Sequence, residues 1–159
     1  MKSTIKYGKK TDTALSMWVK LIRSYATFNK INADHLKQFG ITAAQYAVIE
    51  CLGHLGPMLM GELCRKMLVS GGNMTVVVDN LEKEGLVERV PSEDDRRSIL
   101  VRFTPKGKKV FDESFNKHAG YLTRMASVLS EKEQEDLGRL LKKLGCTLRE
   151  DPNTKLISN

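Results

Sequence analysis

Residues 86–103 contain two strand-like runs, LVERV and SILVRF, on either side of a charged tip. In the second run Ile99, Val101 and Phe103 alternate with residues that face the other way, which is the two-residue period of a half-buried strand. The two runs follow one another along the chain, so they predict a β-hairpin. Helical patterns precede and follow this hairpin, which favours a mainly α fold with a small β element.

Four helices are predicted before the hairpin. The first extends from about Asp12 to Lys37, where apolar residues recur at three- and four-residue spacing. Thr42 and Gln45 have the spacing of a capping box, in which the hydroxyl and the amide satisfy free backbone N–H groups, and they mark the start of the second helix. The third and fourth helices are expected at residues 60–68 and at about 73–84, with the turn VSGG between them.

Two more helices are predicted after the hairpin. Thr104 and Pro105 begin a fifth, because proline is well tolerated at the first helical position, and its apolar pattern continues to about Leu129. Ser130 and Glu133 form another capping box at the start of a sixth helix. This order of elements predicts a winged helix-turn-helix flanked by helices from both ends of the chain.

The formal net charge of +7 is compatible with a nucleic-acid partner. Most of the excess lies in residues 1–41, which contain eight Lys or Arg residues and two Asp residues. The basic extension at the N-terminus is therefore the main source of the charge, and net charge by itself is a weak argument for DNA binding.

The three cysteines, Cys51, Cys64 and Cys146, are far apart and odd in number, which predicts reduced thiols rather than a disulfide framework. Lys20 and Arg23 interrupt the apolar stretch that an export signal would need, and no segment has the length of a membrane span. We therefore expect a cytoplasmic protein that does not contact a membrane.

The start of the fourth helix has the small and polar residues that a DNA-reading helix needs. Gly71 and Gly72 allow the backbone to approach a phosphate, while Ser70, Asn73 and Thr75 carry groups that can bond to base edges or to backbone oxygens. An N-cap followed by a turn would account for the same residues without DNA.

The charged tip of the hairpin suits a wing that enters a minor groove. Asp95 precedes Arg97 by two residues, so its carboxylate is expected to hold the guanidinium in one orientation for a narrow and strongly negative groove. A solvated turn with surface salt bridges is the simpler alternative.

The residues of the fourth helix and of the hairpin also resemble those of a known protein family. The segment SGGNMTVVVDNLEKEGLVERVPSEDDRRSILVRFTPKG, residues 70–107, resembles the core of the MarR family of bacterial winged helix-turn-helix transcription regulators. The wing pattern of that family matches at Asp95, Arg97, Thr104 and Gly107. The reading-helix pattern matches at Gly72-Asn73-Met74-Thr75 and at Asp79-Asn80-Leu81-Glu82. The resemblance covers about residues 12–150, and the departures are the basic N-terminal extension and the doubled Asp94-Asp95.

The resemblance implies a homodimer that binds a pseudo-palindromic DNA site and acts as a repressor. The apolar surface of the first, fifth and sixth helices supports a partner independently, since it exceeds what one small winged domain can cover. We expect dimerisation helices in residues 1–37 and 105–150, a DNA-binding lobe in residues 38–104 and a frayed tail in residues 151–159. The expected DNA contacts are Arg65, Lys66, Ser70, Gly72, Asn73, Thr75, Val76, Asp95, Arg96 and Arg97, with Arg102 as a further phosphate contact.

The resemblance also implies release from DNA by a small aromatic or phenolic effector, with Trp18 and Tyr46 as candidate pocket residues, although such aromatics are more often plain core. Two alternatives stay open, a thiol-based oxidant sensor of the same fold and a winged-helix protein-interaction module. His35, His54 and His118 are isolated, so no metal site is predicted. No cofactor and no catalytic residues are predicted either, because the sequence has no nucleophile, phosphate-loop or metalloprotease motif.

Overall fold

The computed structural model describes residues 6–93, 95 and 97–150, and within them it is a mainly α fold with a small β wing, as predicted. The helices and strands, in chain order, are α1 (Lys9–Leu36), α2 (Ala43–Leu55), β1 (Met58–Leu59), α3 (Met60–Met67), α4 (Gly71–Lys83), β2 (Val87–Pro91), β3 (Ile99–Phe103), α5 (Pro105–Ala126) and α6 (Glu131–Glu150). A short 3₁₀ turn, Lys37–Phe39, follows α1. The predicted tail, residues 151–159, lies outside the described residues.

Local capping signals set the helix ends. The predicted capping box of α2 is confirmed: Gln45 N–H donates to Thr42 Oγ1 at 3.2 Å, and Thr42 N–H donates to Gln45 Oε1 at 2.9 Å. At the end of α4, Gly85 has a φ of 69°, and the N–H of the next residue, Leu86, donates a hydrogen bond to the carbonyl of Leu81 at 2.9 Å. Glycine fits there because it adopts a left-handed conformation without a Cβ clash.

The sheet has three antiparallel strands in the order β1-β3-β2. The sequence predicts only the β2–β3 hairpin; β1 is an addition, and its two residues are too few to show a strand period. Met58 of β1 pairs with Val101 of β3, which in turn pairs with Arg89 of β2. Met58 and Val101 are both buried, so β1 attaches the wing to the helices before it.

The core lies where α2, α4 and the sheet meet the first half of α5. Its fully buried side chains include Val48, Ile49, Leu63, Met74, Val78, Leu81 and Val101. Two glycines allow close packing of α5. A Cβ at Gly53 would lie 2.2 Å from the ring of Phe111, and a Cβ at Gly107 would lie 1.8 Å from the carbonyl oxygen of Leu86. The first half of α5 therefore packs directly on α2 and on the residue before β2.

The chain divides into two compact units, one through Ser114 and the other from Phe115. In the first unit, α1 is 28 residues long, yet Leu36 is its one buried residue. In the second unit, α5 ends at Ala126 rather than at Leu129, and the predicted Ser130–Glu133 capping box begins α6. No helix in the described part of the chain is long and apolar enough to cross a membrane.

Candidate nucleic-acid interface

The candidate reading helix α4 begins two residues earlier than the sequence predicts. Ser70 is its N-cap, with Oγ accepting the Asn73 N–H at 3.4 Å, so Gly71 and Gly72 form the first helical turn instead of the preceding loop. Glycine has a low helix propensity, which is why the pattern favours a loop there. The first N–H groups of a helix have no intrahelical acceptor, so these two glycines present donors to an anion without a side chain in the way.

The side chains of α4 divide into a buried and an exposed face. Met74, Val78 and Leu81 pack into the core. Asn73, Thr75 and Val76 are exposed, and Val76 is 60% exposed although it is apolar. The Thr75 hydroxyl donates to the carbonyl of Gly71 at 2.9 Å, which fixes its rotamer on the helix. The predicted contacts at positions 73, 75 and 76 are thus accessible to a ligand.

Arg89 of β2 connects the wing to α4, a contact that the sequence does not predict. Its Nη1 lies 2.6 Å from Asp79 Oδ1 and 2.7 Å from Glu82 Oε2, and its Nη2 donates to the carbonyl of Thr75 at 3.3 Å. The Arg89 N–H also donates to Glu82 Oε1 at 3.1 Å. The signal in the sequence was a pair of carboxylates three residues apart on α4 followed by one arginine in the next strand. These contacts set the orientation of α4 against the wing.

Asp95 at the wing tip acts differently from the prediction. Its Oδ1 accepts the backbone N–H of Arg97 at 3.0 Å and its Oδ2 accepts the Ser98 hydroxyl at 2.9 Å. Among the ion pairs of the described residues none joins Asp95 to the Arg97 guanidinium, so the expected carboxylate–guanidinium contact is wrong. Both hydrogen bonds, first that from the Arg97 N–H, lower the pKa of Asp95. Asp95 therefore holds the backbone of the tip and positions Arg97 only through its main chain.

A cleft of about 570 Å³ lies between α3, α4 and the wing. Arg65 of α3, Thr75 of α4 and Arg97 of the wing all line it, so three of the predicted DNA contacts are near one another.

Lys66 is exposed on α3, and Arg96 lies outside the described residues. Arg102 pairs instead with Glu88 across the strands, with 2.8 Å between Nε and Oε1. Of the charged residues at the cleft, Arg89 contacts Asp79 and Glu82, while Arg65, Arg97 and Glu62 also line it.

The two candidate effector residues have different surroundings. Tyr46 of α2 is buried in the core, with 2% of its surface exposed, whereas Trp18 of α1 is 57% exposed. Burial, with a smaller contribution from the charge of Glu50, raises the pKa of Tyr46 to about 12. A pocket that uses both rings stays a prediction.

Cys51 does not have the surroundings of a reactive thiol. Burial is the first cause that raises the pKa of the Cys51 thiol, and the charge of Glu50 is the second. The thiolate is the reactive form, so a raised pKa disfavours oxidation at neutral pH. Cys64 is half-buried and Cys146 is exposed on α6, while α1 contains no cysteine.

Two short helices, α3 and α4, joined by a tight turn and followed by a wing, define a winged helix-turn-helix DNA-binding protein. The MarR family model matches residues 41–99. The HTH-type transcriptional regulator MhqR of Bacillus subtilis (strain 168) is 33% identical over 143 residues, which are 90% of this chain and 99% of that protein.

Solved structures agree with the sequence comparison. A mutant of MarR from E. coli complexed with operator DNA has 28% identity and a TM-score of 0.72, covering 79% of this chain and 91% of that one. AbsC, a MarR family transcriptional regulator from Streptomyces coelicolor, has 20% identity and a TM-score of 0.82, covering 92% and 99%. This chain belongs to the MarR family and is a DNA-binding helix-turn-helix transcription regulator.

Proposed function

We propose that the protein is a homodimeric repressor that binds a pseudo-palindromic DNA site and leaves it when a small aromatic or phenolic effector binds. The observation that carries the DNA-binding part is the arrangement of the cleft. Thr75 of α4 and the wing residue Arg97 line it, with Arg65 on its α3 side. A reading helix suits the major groove, and an arginine on a wing suits the adjacent minor groove.

The apolar faces of α1 and α6 support the homodimer. Along α1 the exposed large apolar residues are Leu15, Met17, Trp18, Ile22, Tyr25, Phe28 and Ile31, and along α6 they are Leu137, Leu140, Leu141 and Leu148. A monomer that left so much apolar surface in water would be prone to association. A second copy supplies a partner with the same surface, and two-fold symmetry places two reading helices on successive turns of DNA.

Release by an effector is proposed from the family resemblance, with Trp18 and Tyr46 as the candidate contacts. The test is a screen of phenols and aromatic acids for loss of the protein–DNA complex. Compounds that release the wild-type protein from DNA are then tested in the same way on the Trp18→Ala variant. Removal of this 57% exposed ring leaves the core intact, and light scattering first establishes that Trp18→Ala keeps the wild-type oligomeric state, because Trp18 also belongs to the apolar face of α1. The variant is expected to bind DNA but to resist release by the active compounds.

Arg97→Ala is expected to weaken specific DNA binding roughly 5- to 150-fold, as is typical for the loss of one good groove contact. The reason is that Arg97 lines the cleft beside α4 without a carboxylate partner among the described residues. A fluorescence anisotropy titration measures the change. Arg139→Ala is the matched control, since it removes the same charge from α6, where Arg139 pairs with Asp136. Equal affinity of Arg97→Ala and the control would remove the wing from the proposed interface.

A further inference from the structure

The outward face of α4 has an unusual composition for a DNA-reading surface. Asn73, Val76 and Asn80 follow one another at three- and four-residue spacing, so they lie on one side of the helix, and all three are exposed. Within the described part of the chain, no hydrogen bond holds the side-chain amide of Asn73 or Asn80. The face therefore offers two uncommitted amides with an apolar side chain between them.

The charged residues of α4 are directed elsewhere or lie at its far end. Asp79 and Glu82 contact Arg89 of the wing strand, and Lys83 is the last residue of the helix. The first three turns contain no arginine or lysine at all. Guanine is read chiefly by Arg or Lys, and cytosine by Asp or Glu. The face thus lacks the side chains that select G·C pairs.

The side chains that are present match A·T pairs. An asparagine amide can form two hydrogen bonds with adenine, one to N7 and one from the N6 amino group, and an apolar side chain packs on the C5 methyl group of thymine. Val76 has 60% of its surface free for such a contact. It also lines a shallow groove of about 390 Å³ with Asn73, Val69 and Val77, which supplies an apolar surface large enough for a methyl group.

We infer that α4 selects A·T base pairs in each half-site, with Val76 packing on a thymine methyl group and Asn73 and Asn80 bonding to adenines in the major groove. This inference rests on the proposed function, because it specifies the sequence that the proposed interface reads. The wing and the basic residues of the cleft position the protein on the duplex, whereas the Asn-Val-Asn face determines which bases are accepted.

The test begins with DNA that the full-length protein enriches from a random-sequence pool. The thymines of that site are then replaced by uracil, which lacks only the methyl group. Wild-type protein is expected to bind the uracil site about three- to fivefold more weakly for each half-site, the effect of one methyl group leaving water. Val76→Ala is expected to bind the two DNAs equally. Val128→Ala is the matched control, since Val128 is an 86% exposed valine in the second unit, and it should keep the wild-type difference.

A second substitution tests the amides. Replacing adenine by 7-deazaadenine removes the N7 acceptor, and it should weaken binding by the wild-type protein. The single variants Asn73→Ala and Asn80→Ala should separate the two DNAs less than the wild type does, and the double variant should bind them equally. If the wild-type protein separates its enriched site from scrambled DNA but is indifferent to both base changes, the inference is overturned and the proposed function stands. If the pool yields no enriched sequence, the proposed function itself fails. Melting curves of each variant exclude unfolding as the cause of any loss.

Discussion

Gly107→Ala is expected to lower the free energy of unfolding by about 3 kcal/mol, at the upper end of the usual cost of overpacking. The new Cβ would lie 1.8 Å from the carbonyl oxygen of Leu86 and 2.7 Å from its carbon, and both are backbone atoms. That carbonyl cannot move aside freely, because it accepts the N–H of Thr104 at 3.1 Å. The Thr104 hydroxyl also donates to the carbonyl of Gly85 at 2.6 Å and accepts the Gly107 N–H at 3.1 Å. The substitution therefore displaces the start of α5 from the residue before β2.

Chemical denaturation of Gly107→Ala beside the wild type measures this loss. Gly120→Ala is the matched control, since Gly120 is also in α5 and a Cβ there would meet nothing within 4 Å. Alanine is the better helix former, so the control should be unchanged or more stable by up to roughly 1 kcal/mol, provided that no partner packs on that position. A Gly107→Ala protein as stable as the wild type would show that α5 does not approach Leu86 so closely.

Arg89→Met is expected to lower the free energy of unfolding by about 2 kcal/mol, below the range for a fully buried ion pair because the site is only partly buried. The Arg89 side chain is 22% exposed, and its partners Asp79 and Glu82 are 44% and 39% exposed. Without the guanidinium these two carboxylates are left close together on α4, and the wing loses its bond to the Thr75 carbonyl. Specific DNA binding should fall as well, because α4 and the wing are no longer held in one geometry.

Arg102→Met is the matched control for Arg89→Met. Arg102 is also a wing-strand arginine with one carboxylate partner, but its side chain is 49% exposed and that of Glu88 is 44% exposed. Exposed pairs contribute at most about 1 kcal/mol, so Arg102→Met should be close to the wild type in stability. Urea denaturation and anisotropy titration of both variants make the comparison. Equal effects of the two substitutions would mean that Arg89 is an ordinary surface arginine.

The elements that the sequence predicts well are those fixed by neighbours along the chain. The capping boxes at Thr42 and Ser130 join residues three positions apart, so the pattern of residue types reveals them directly. The β2–β3 hairpin is likewise found, with Val101 buried at the centre of β3, although Ile99 at the start of that strand is 38% exposed. Helical periodicity and these end signals give the order of elements, and that order already defines the winged helix-turn-helix.

The features that the sequence missed depend on contacts between elements or on side-chain geometry. Arg89 meets its partners through the packing of β2 on α4, and β1 becomes a strand only because Val101 of β3 pairs with Met58. At the tip, the sequence places three possible donors close to Asp95, namely the guanidinium and the backbone N–H of Arg97 and the hydroxyl of Ser98. The turn places the N–H of Arg97 and the hydroxyl of Ser98 against its oxygens, which residue spacing cannot reveal.

The most direct test of the central claim, a dimeric regulator that reads DNA sequence, is a titration of the protein against DNA that it enriches from a random pool. Scrambled DNA at two salt concentrations is the reference, and light scattering gives the number of copies per site. We expect two copies on a pseudo-palindrome, with a preference over scrambled DNA that persists when added salt weakens both complexes. Binding that is indifferent to sequence and disappears with salt, or a single copy on an asymmetric site, would contradict the account.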